Sequence, residues 1–175
     1  METTYQKGEY VRYGTDGVCV IADIEAMVSM DRRSVKQYYV LRPVADSGTK
    51  VFVPLDSPAL LAKMHAILTR EEIDEAIRES ARNPLEWIAD RNGRAERFRE
   101  IIKASDPLPL LQLCSCIHQR RRKLTEEGKR LSSSDEAVLK QAERLVESEF
   151  AFSLDIPRQD VGAYIHDLWE QSAPQ

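Results

Sequence analysis

Residues 7–21 decide how this chain begins to fold, and they read Lys7-Gly8-Glu9-Tyr10-Val11-Arg12-Tyr13-Gly14-Thr15-Asp16-Gly17-Val18-Cys19-Val20-Ile21. Two apolar, β-prone runs flank a turn with two glycines, a pattern typical of a β-hairpin. In the second run, alternate residues from Val18 to Ile24 are apolar and share one face of a strand. The stretch therefore predicts that the chain starts with a small sheet.

Three more strands are predicted after this hairpin. Residues 27–35 are polar at their centre and indicate a hairpin loop, and the strongly β-prone run Tyr38–Leu41 follows. A strand over Lys50–Val53 ends at Pro54, and a weaker fifth strand is expected near Met64–Leu68. The simplest arrangement is a small antiparallel β-barrel over residues 1–68.

From Thr69 onward the pattern changes to helices. Thr69-Arg70-Glu71-Glu72 is a capping box, and the helix behind it is expected to run to about Ser80. Pro84 breaks the chain there, so residues 69–90 are predicted to be a helix and a linker. Four more helices are predicted in residues 91–175, from apolar residues at helical spacing and from caps. The predicted fold class is α+β, with the β-barrel domain followed by an all-helical domain.

Composition excludes some classes of protein. Hydrophobic residues make up 42% of the chain, enough for a packed core, but no apolar run approaches the ~18 residues that span a membrane. Residues 1–6 lack the features of a secretory signal. Three cysteines without framework spacing fit a reducing compartment. A cytoplasmic protein without membrane contact is expected.

Charge is distributed unevenly. Residues 91–130 hold eleven Lys/Arg against five Asp/Glu, whereas residues 131–175 hold three against nine. A polyanion partner is therefore possible at the basic segment, since clustered cations release counterions from phosphates. Trp87 lies just before this segment. It either stacks on or wedges against a nucleotide, or is buried as a structural residue between domains.

No catalytic or metal site stands out. Cys114-x-Cys116-x-His118 lacks a second ligand pair at zinc-site spacing, so the cysteines are interpreted as core residues and His118 as a surface residue. No nucleophile with a base and no glycine-rich phosphate loop is present. The chain is predicted to be no enzyme and to use no metal, cofactor or small-molecule substrate.

Phe52 offers two alternatives. If Val51 and Val53 face the core, period two places Phe52 on the outside of the sheet. It is then either an exposed anchor for a protein partner or a side chain packed under a loop or a neighbouring domain.

These residues resemble the CarD/CdnL family of bacterial transcription factors over almost the whole chain. The resemblance rests on Lys7-Gly8-Glu9-x-Val11-x-Tyr13, Gly17-Val18, Ile24-Glu25, Tyr38-Tyr39-Val40-Leu41 and Val51-x-Val53-Pro54. The C-terminal half is similar through its order of helices and through Ala142-Glu143-x-Leu145-x-x-x-Glu149-Phe150-Ala151.

The resemblance implies a Tudor-like domain that docks on the β subunit of RNA polymerase, partly by pairing of exposed strand edges. Met27 and Phe52 stand where relatives often have arginines that contact polymerase. The residues expected at this interface are Met27, Ser29, Lys50 and Phe52.

The resemblance also implies that the helical domain touches promoter DNA at the upstream edge of the transcription bubble, where a tryptophan wedges into the minor groove. The residues expected there are Trp87, Arg91, Arg94, Arg97, Arg121 and Arg122. The expected function is a transcription regulator that stabilises the open complex. The alternative is a polymerase-binding adaptor whose helical domain recruits another protein instead of DNA.

Overall fold

The computed structural model describes residues 5–172 and divides into two compact units, one ending at Ile67 and one beginning at Leu68. The first unit contains the strands β1 (Tyr10–Tyr13), β2 (Val18–Val28), β3 (Val35–Pro43), β4 (Val51–Pro54) and β5 (Met64–Ala66), with the short helix α1 (Pro58–Leu61). The second contains the helices α2 (Arg70–Arg82), α3 (Arg91–Ala104), α4 (Pro107–Glu126), α5 (Ser133–Leu154) and α6 (Arg158–Ser172). We call them the β unit and the helical unit. The α+β class is confirmed.

The sheet is open, so the expected closed barrel is wrong. Its strand order is β4-β3-β2-β1-β5, and all pairs are antiparallel. In the described part of the chain, β4 and β5 lie at opposite edges and share no ladder. These two edge strands are short, with four and three residues, and closure would require them to pair with each other.

The β2–β3 hairpin is longer than the sequence predicted. The strand β2 runs on to Val28 and β3 begins at Val35, so that only residues 29–34 form the loop. The predicted alternation over Val18–Ile24 is wrong, because a β-bulge at Ala22 interrupts it and the core residues are Cys19 and Ile21 before the bulge and Ile24 after it. The strand β1 reaches β2 only at Val18–Val20, and β4 reaches β3 only at Tyr38–Leu41. The far end of the hairpin therefore extends beyond its neighbouring strands.

The helical unit follows its caps and apolar spacing. The Thr69 capping box is formed in both directions, and Asp90 and Ser132 cap α3 and α5 through their side chains. Ile73 and Ile77 of α2 are fully buried in a core shared with the later helices, so α2 packs as part of the helical unit. Within residues 5–172, no helix combines the length and apolarity needed to cross a bilayer.

Gly17 closes the turn between β1 and β2. Its φ of 72° and ψ of −145° lie in a region that is nearly confined to glycine. Tyr13 N–H donates to the Gly17 carbonyl over 2.9 Å, so this conformation also ends the β1–β2 ladder.

We therefore expect Gly17→Ala to lower the free energy of unfolding of the β unit by about 1–3 kcal/mol, the usual cost of such strain. Urea unfolding followed through NMR signals of the sheet amides measures it. Both tryptophans lie outside this unit, which makes their fluorescence a poor probe. Gly48→Ala is the matched control, because Gly48 is exposed and has no left-handed φ. Equal stability of the two variants would contradict the argument.

Candidate functional site

Three of the expected polymerase contacts share one face of the sheet. Phe52 pairs with Val40, and Met27 pairs with Lys36. Val40 and Lys36 are four residues apart on β3, so both point to the same side, and their partners Met27 and Phe52 do so as well. Lys50 precedes Phe52 by two residues and is exposed. We call Met27, Lys50 and Phe52 the outer face.

Phe52 is exposed, and its use as an anchor for a protein partner stays a prediction. Phe52 is 42% exposed, whereas its neighbour Val53 is fully buried in the core of the β unit. A phenylalanine at this exposure is an available apolar contact on the outer face.

Ser29, the fourth expected polymerase contact, lies inside the hairpin loop. Its hydroxyl accepts hydrogen bonds from the Ser34 N–H over 3.3 Å and from the Ser34 hydroxyl over 3.0 Å, and it donates to Asp31. The bond from Ser29, with one from the Arg33 N–H, lowers the pKa of Asp31. Ser29 therefore holds the loop in shape.

The hairpin also offers a free strand edge and an apolar tip. Beyond Ile21, β2 pairs only with β3 within residues 5–172, so its other edge is open from Ala22 to Val28. At the tip, Val28 and Val35 are 64% and 67% exposed, and Met30 is fully exposed.

In the helical unit, Trp87 lies half-buried in the segment between α2 and α3. Its ring packs edge-on against Phe98, with centroids 6.1 Å apart. The guanidinium carbons of Arg94 and Arg120 lie 4.5 and 5.3 Å from the ring centroid, within the range of cation–π attraction. The indole is therefore fixed by contacts inside the unit while part of its surface stays open.

Arg94 is engaged inside the same unit. Its Nε and Nη2 each lie 3.2 Å from a carboxylate oxygen of Asp135, and the two side chains are only 11% and 10% exposed. Its Nη1 donates to the carbonyls of Ile88 and Ala89 over 3.0 and 3.4 Å. Every arm of the guanidinium is thus used to join the segment before α3 to α5. Arg94 is not available as a free cation.

The structure does not gather the remaining expected DNA contacts at one surface. Arg91 is exposed at the first position of α3. Arg97 pairs with Glu100 over 3.6 Å, and Arg121 with Glu136 over 3.0 Å. Arg121 and Arg122 line a cleft to which Trp87, Arg91 and Arg94 do not contribute.

Sequence reasoning missed Arg120 as the partner of Trp87. The basic run at residues 120–123 contained the signal, but the choice among its members needs the rotation of α4. In the described part of the chain, Arg120 has no carboxylate within 4.0 Å, and its buried Nε has no hydrogen-bond partner. Arg120 is thus a cation beside Trp87 whose charge is not neutralised by an ion pair.

The side chains of Cys114, Cys116 and His118 are either buried or bonded within the helical unit. Cys114 and Cys116 are buried, and burial raises the pKa of both thiols. His118 Nε2 lies 2.6 Å from Glu143 Oε1. Among residues 5–172, no group of three metal-ligating side chains comes together.

The chain thus combines a small open sheet that exposes apolar side chains with a helical unit. Residues 5–65 match the family model described as CarD-like/TRCF RID domain. The β unit is therefore an RNA-polymerase-interacting domain, as a CarD-like transcription factor would carry, and polymerase is its partner. The comparison with curated proteins gives no match.

The Arg94–Asp135 pair should contribute strongly to the stability of the helical unit. Asp135→Asn should lower the free energy of unfolding of the helical unit by about 3–5 kcal/mol, because it leaves a nearly buried guanidinium without its counter-charge. Tryptophan fluorescence during urea unfolding measures this, since Trp87 and Trp169 both lie in this unit. Glu100→Gln removes the exposed partner of Arg97 and should change stability by about 0.5 kcal/mol or less. An equally small effect of Asp135→Asn would refute the role given to the pair.

Proposed function

We propose that this protein is a transcription regulator that binds the β subunit of RNA polymerase through its β unit and stabilises the open promoter complex through its helical unit. The match of residues 5–65 to a polymerase-interacting domain carries the proposal. A factor of this kind works in the bacterial cytoplasm, where polymerase meets promoters. It acts by binding alone, with no catalytic step and no cofactor.

The outer face and the free edge of β2 support docking on the β subunit. A strand added along Ala22–Val28 would gain main-chain hydrogen bonds, while neighbouring side chains give specificity. Met27 lies on that strand, and Phe52 and Lys50 lie on the same face two strands away. An exposed aromatic residue is a frequent anchor of such interfaces.

Replacing the outer face should therefore weaken polymerase binding. We expect Phe52→Ser to raise the Kd for core polymerase about ten-fold, the effect of losing one anchor residue. Lys50→Gln should raise it by a smaller factor. Biolayer interferometry with immobilised polymerase measures both changes.

Lys63→Gln is the matched control for Lys50→Gln. Lys63 is exposed and directly precedes β5, the strand at the opposite edge of the sheet. A Kd unchanged by Phe52→Ser, in a variant whose circular dichroism equals that of the wild type, would contradict the assignment of the outer face.

On the DNA side, the arrangement around Trp87 supports a wedge. An aromatic ring that is held in place loses little conformational entropy when it inserts beside a base. Arg120, with its charge not paired, and Arg91, exposed, supply cations for the phosphates. In this proposal Arg94 is a positioning residue that fixes the ring, and Arg120 replaces it among the DNA contacts.

The lifetime of the open complex tests this half of the proposal. The protein should lengthen the lifetime, because only a factor that binds the open form better than the closed form shifts that equilibrium. Trp87→Leu should remove most of the effect. Arg120→Gln should lower the salt dependence of the effect by about 0.9 in log–log slope, the value for one phosphate contact.

Arg144→Gln, an exposed arginine on α5 far along the sequence from this segment, should leave both quantities unchanged. Thermal unfolding of each variant separates loss of contact from loss of fold. If polymerase binds but the lifetime does not change with wild-type protein, the DNA contact is wrong and the polymerase tether stands.

A further inference from the structure

The helical unit contains a cleft of about 830 Å³ between the end of α2, the outer side of α4 and the middle of α6. We propose that this cleft is a binding site for a small aromatic organic anion, a ring system that carries a carboxylate, sulfonate or phosphate group. The site goes beyond the proposed function, because neither the outer face nor the surroundings of Trp87 contribute to it.

Trp169 gives the cleft its aromatic wall. Its indole N–H donates to the hydroxyl of Ser80 over 2.8 Å, and that buried hydroxyl donates to the Ile77 carbonyl over 2.7 Å. The polar atom of the indole is therefore already satisfied, and its orientation is fixed. What remains for a ligand is the ring surface of a half-buried side chain, which favours a flat apolar or aromatic partner.

The size of the cleft suits a small molecule. Ligand sites of proteins usually occupy about 300–1,000 Å³ and combine an apolar wall with a few polar groups. Gly162 lies in the cleft wall opposite α4, and a Cβ added there would meet no atom within 4 Å. Space for a ligand is thus open next to the Trp169 side of α6.

The charges in the cleft select an anion. Arg82 pairs with Glu75 and Glu79 at 3.3 and 3.4 Å, so its charge is balanced. His166 lies 3.0 Å from Glu170. Arg122 differs, because within the described residues no carboxylate lies within 4.0 Å of it.

A guanidinium that has no carboxylate partner binds an oxyanion through parallel hydrogen bonds. Arg121, the other arginine of the wall, is already paired with Glu136. Arg122 is therefore the side chain to which the anionic group of the ligand is assigned.

The same wall argues against a nucleic acid strand in the cleft. Glu126 lies one turn after Arg122, and Glu170 faces the cleft from α6. A polyanion needs a row of cations along its length, and these two carboxylates would repel its phosphates. One charge on a small ligand, placed at Arg122, avoids that repulsion.

The experiment is a fluorescence titration of the full chain with 8-anilinonaphthalene-1-sulfonate, an aromatic sulfonate. One dye should bind per chain. Arg122→Gln should weaken binding about five-fold or more, and Glu126→Gln should strengthen it about two- to five-fold, because one removes the counter-charge and the other a repelling charge. Gly162→Leu, which fills open space in a helix, should abolish binding.

Two controls make the outcome decisive. Arg144→Gln removes a surface arginine outside the cleft and should change the affinity less than two-fold. N-phenyl-1-naphthylamine, the uncharged analogue, and sulfate alone should each bind at least ten-fold more weakly than the sulfonate. The proposal is overturned if Arg122→Gln binds like wild type, if the uncharged dye binds equally well, or if Gly162→Leu, with an unchanged melting temperature, retains binding.

Discussion

The ion pair between Arg94 and Asp135 is the contact on which the helical unit depends most. Nearly buried charges are favourable only when the geometry is good and further hydrogen bonds satisfy their polar atoms, and all three nitrogens of Arg94 and both carboxylate oxygens of Asp135 are hydrogen-bonded. Asp135 also accepts the Ser132 hydroxyl over 2.8 Å at the start of α5, while Arg94 binds the Ile88 and Ala89 carbonyls. One side-chain pair thereby joins the cap of one helix to the segment that leads into another.

This pair also determines what Trp87 can do. Because Arg94 is held by Asp135, its guanidinium is a fixed surface against which the indole lies at 4.5 Å. In the proposed function, Arg94 therefore fixes the position of the indole and does not contact DNA. A rigid half-exposed ring is suited to insertion between bases, provided that another cation supplies the phosphate contact. In the proposed function, Arg120 supplies that contact.

The parts of the fold that local chemistry controls could be predicted from the sequence. The glycine turn, the Thr69 capping box and the period-two exposure of Phe52 all depend on neighbours a few residues away. Closure of the sheet could not be predicted, since it depends on how far each strand extends along its partner. The burial of Arg94 could be inferred from its neighbours, because Arg94, Phe98 and Ile101 have the i, i+4, i+7 spacing of one helix face. No local pattern indicates its partner Asp135, which is 41 residues away.

The run Arg120-Arg121-Arg122 explains why adjacent basic residues of the sequence do not meet at one site. Successive residues of an α-helix are rotated by about 100°, so three adjacent arginines face three directions. Arg120 lies by Trp87, Arg121 pairs with Glu136, and Arg122 lines the cleft. Net charge counted along the chain therefore overstates the field at any one site. The residue to assign to a polyanion is the one whose direction and lack of an ion pair leave its charge available.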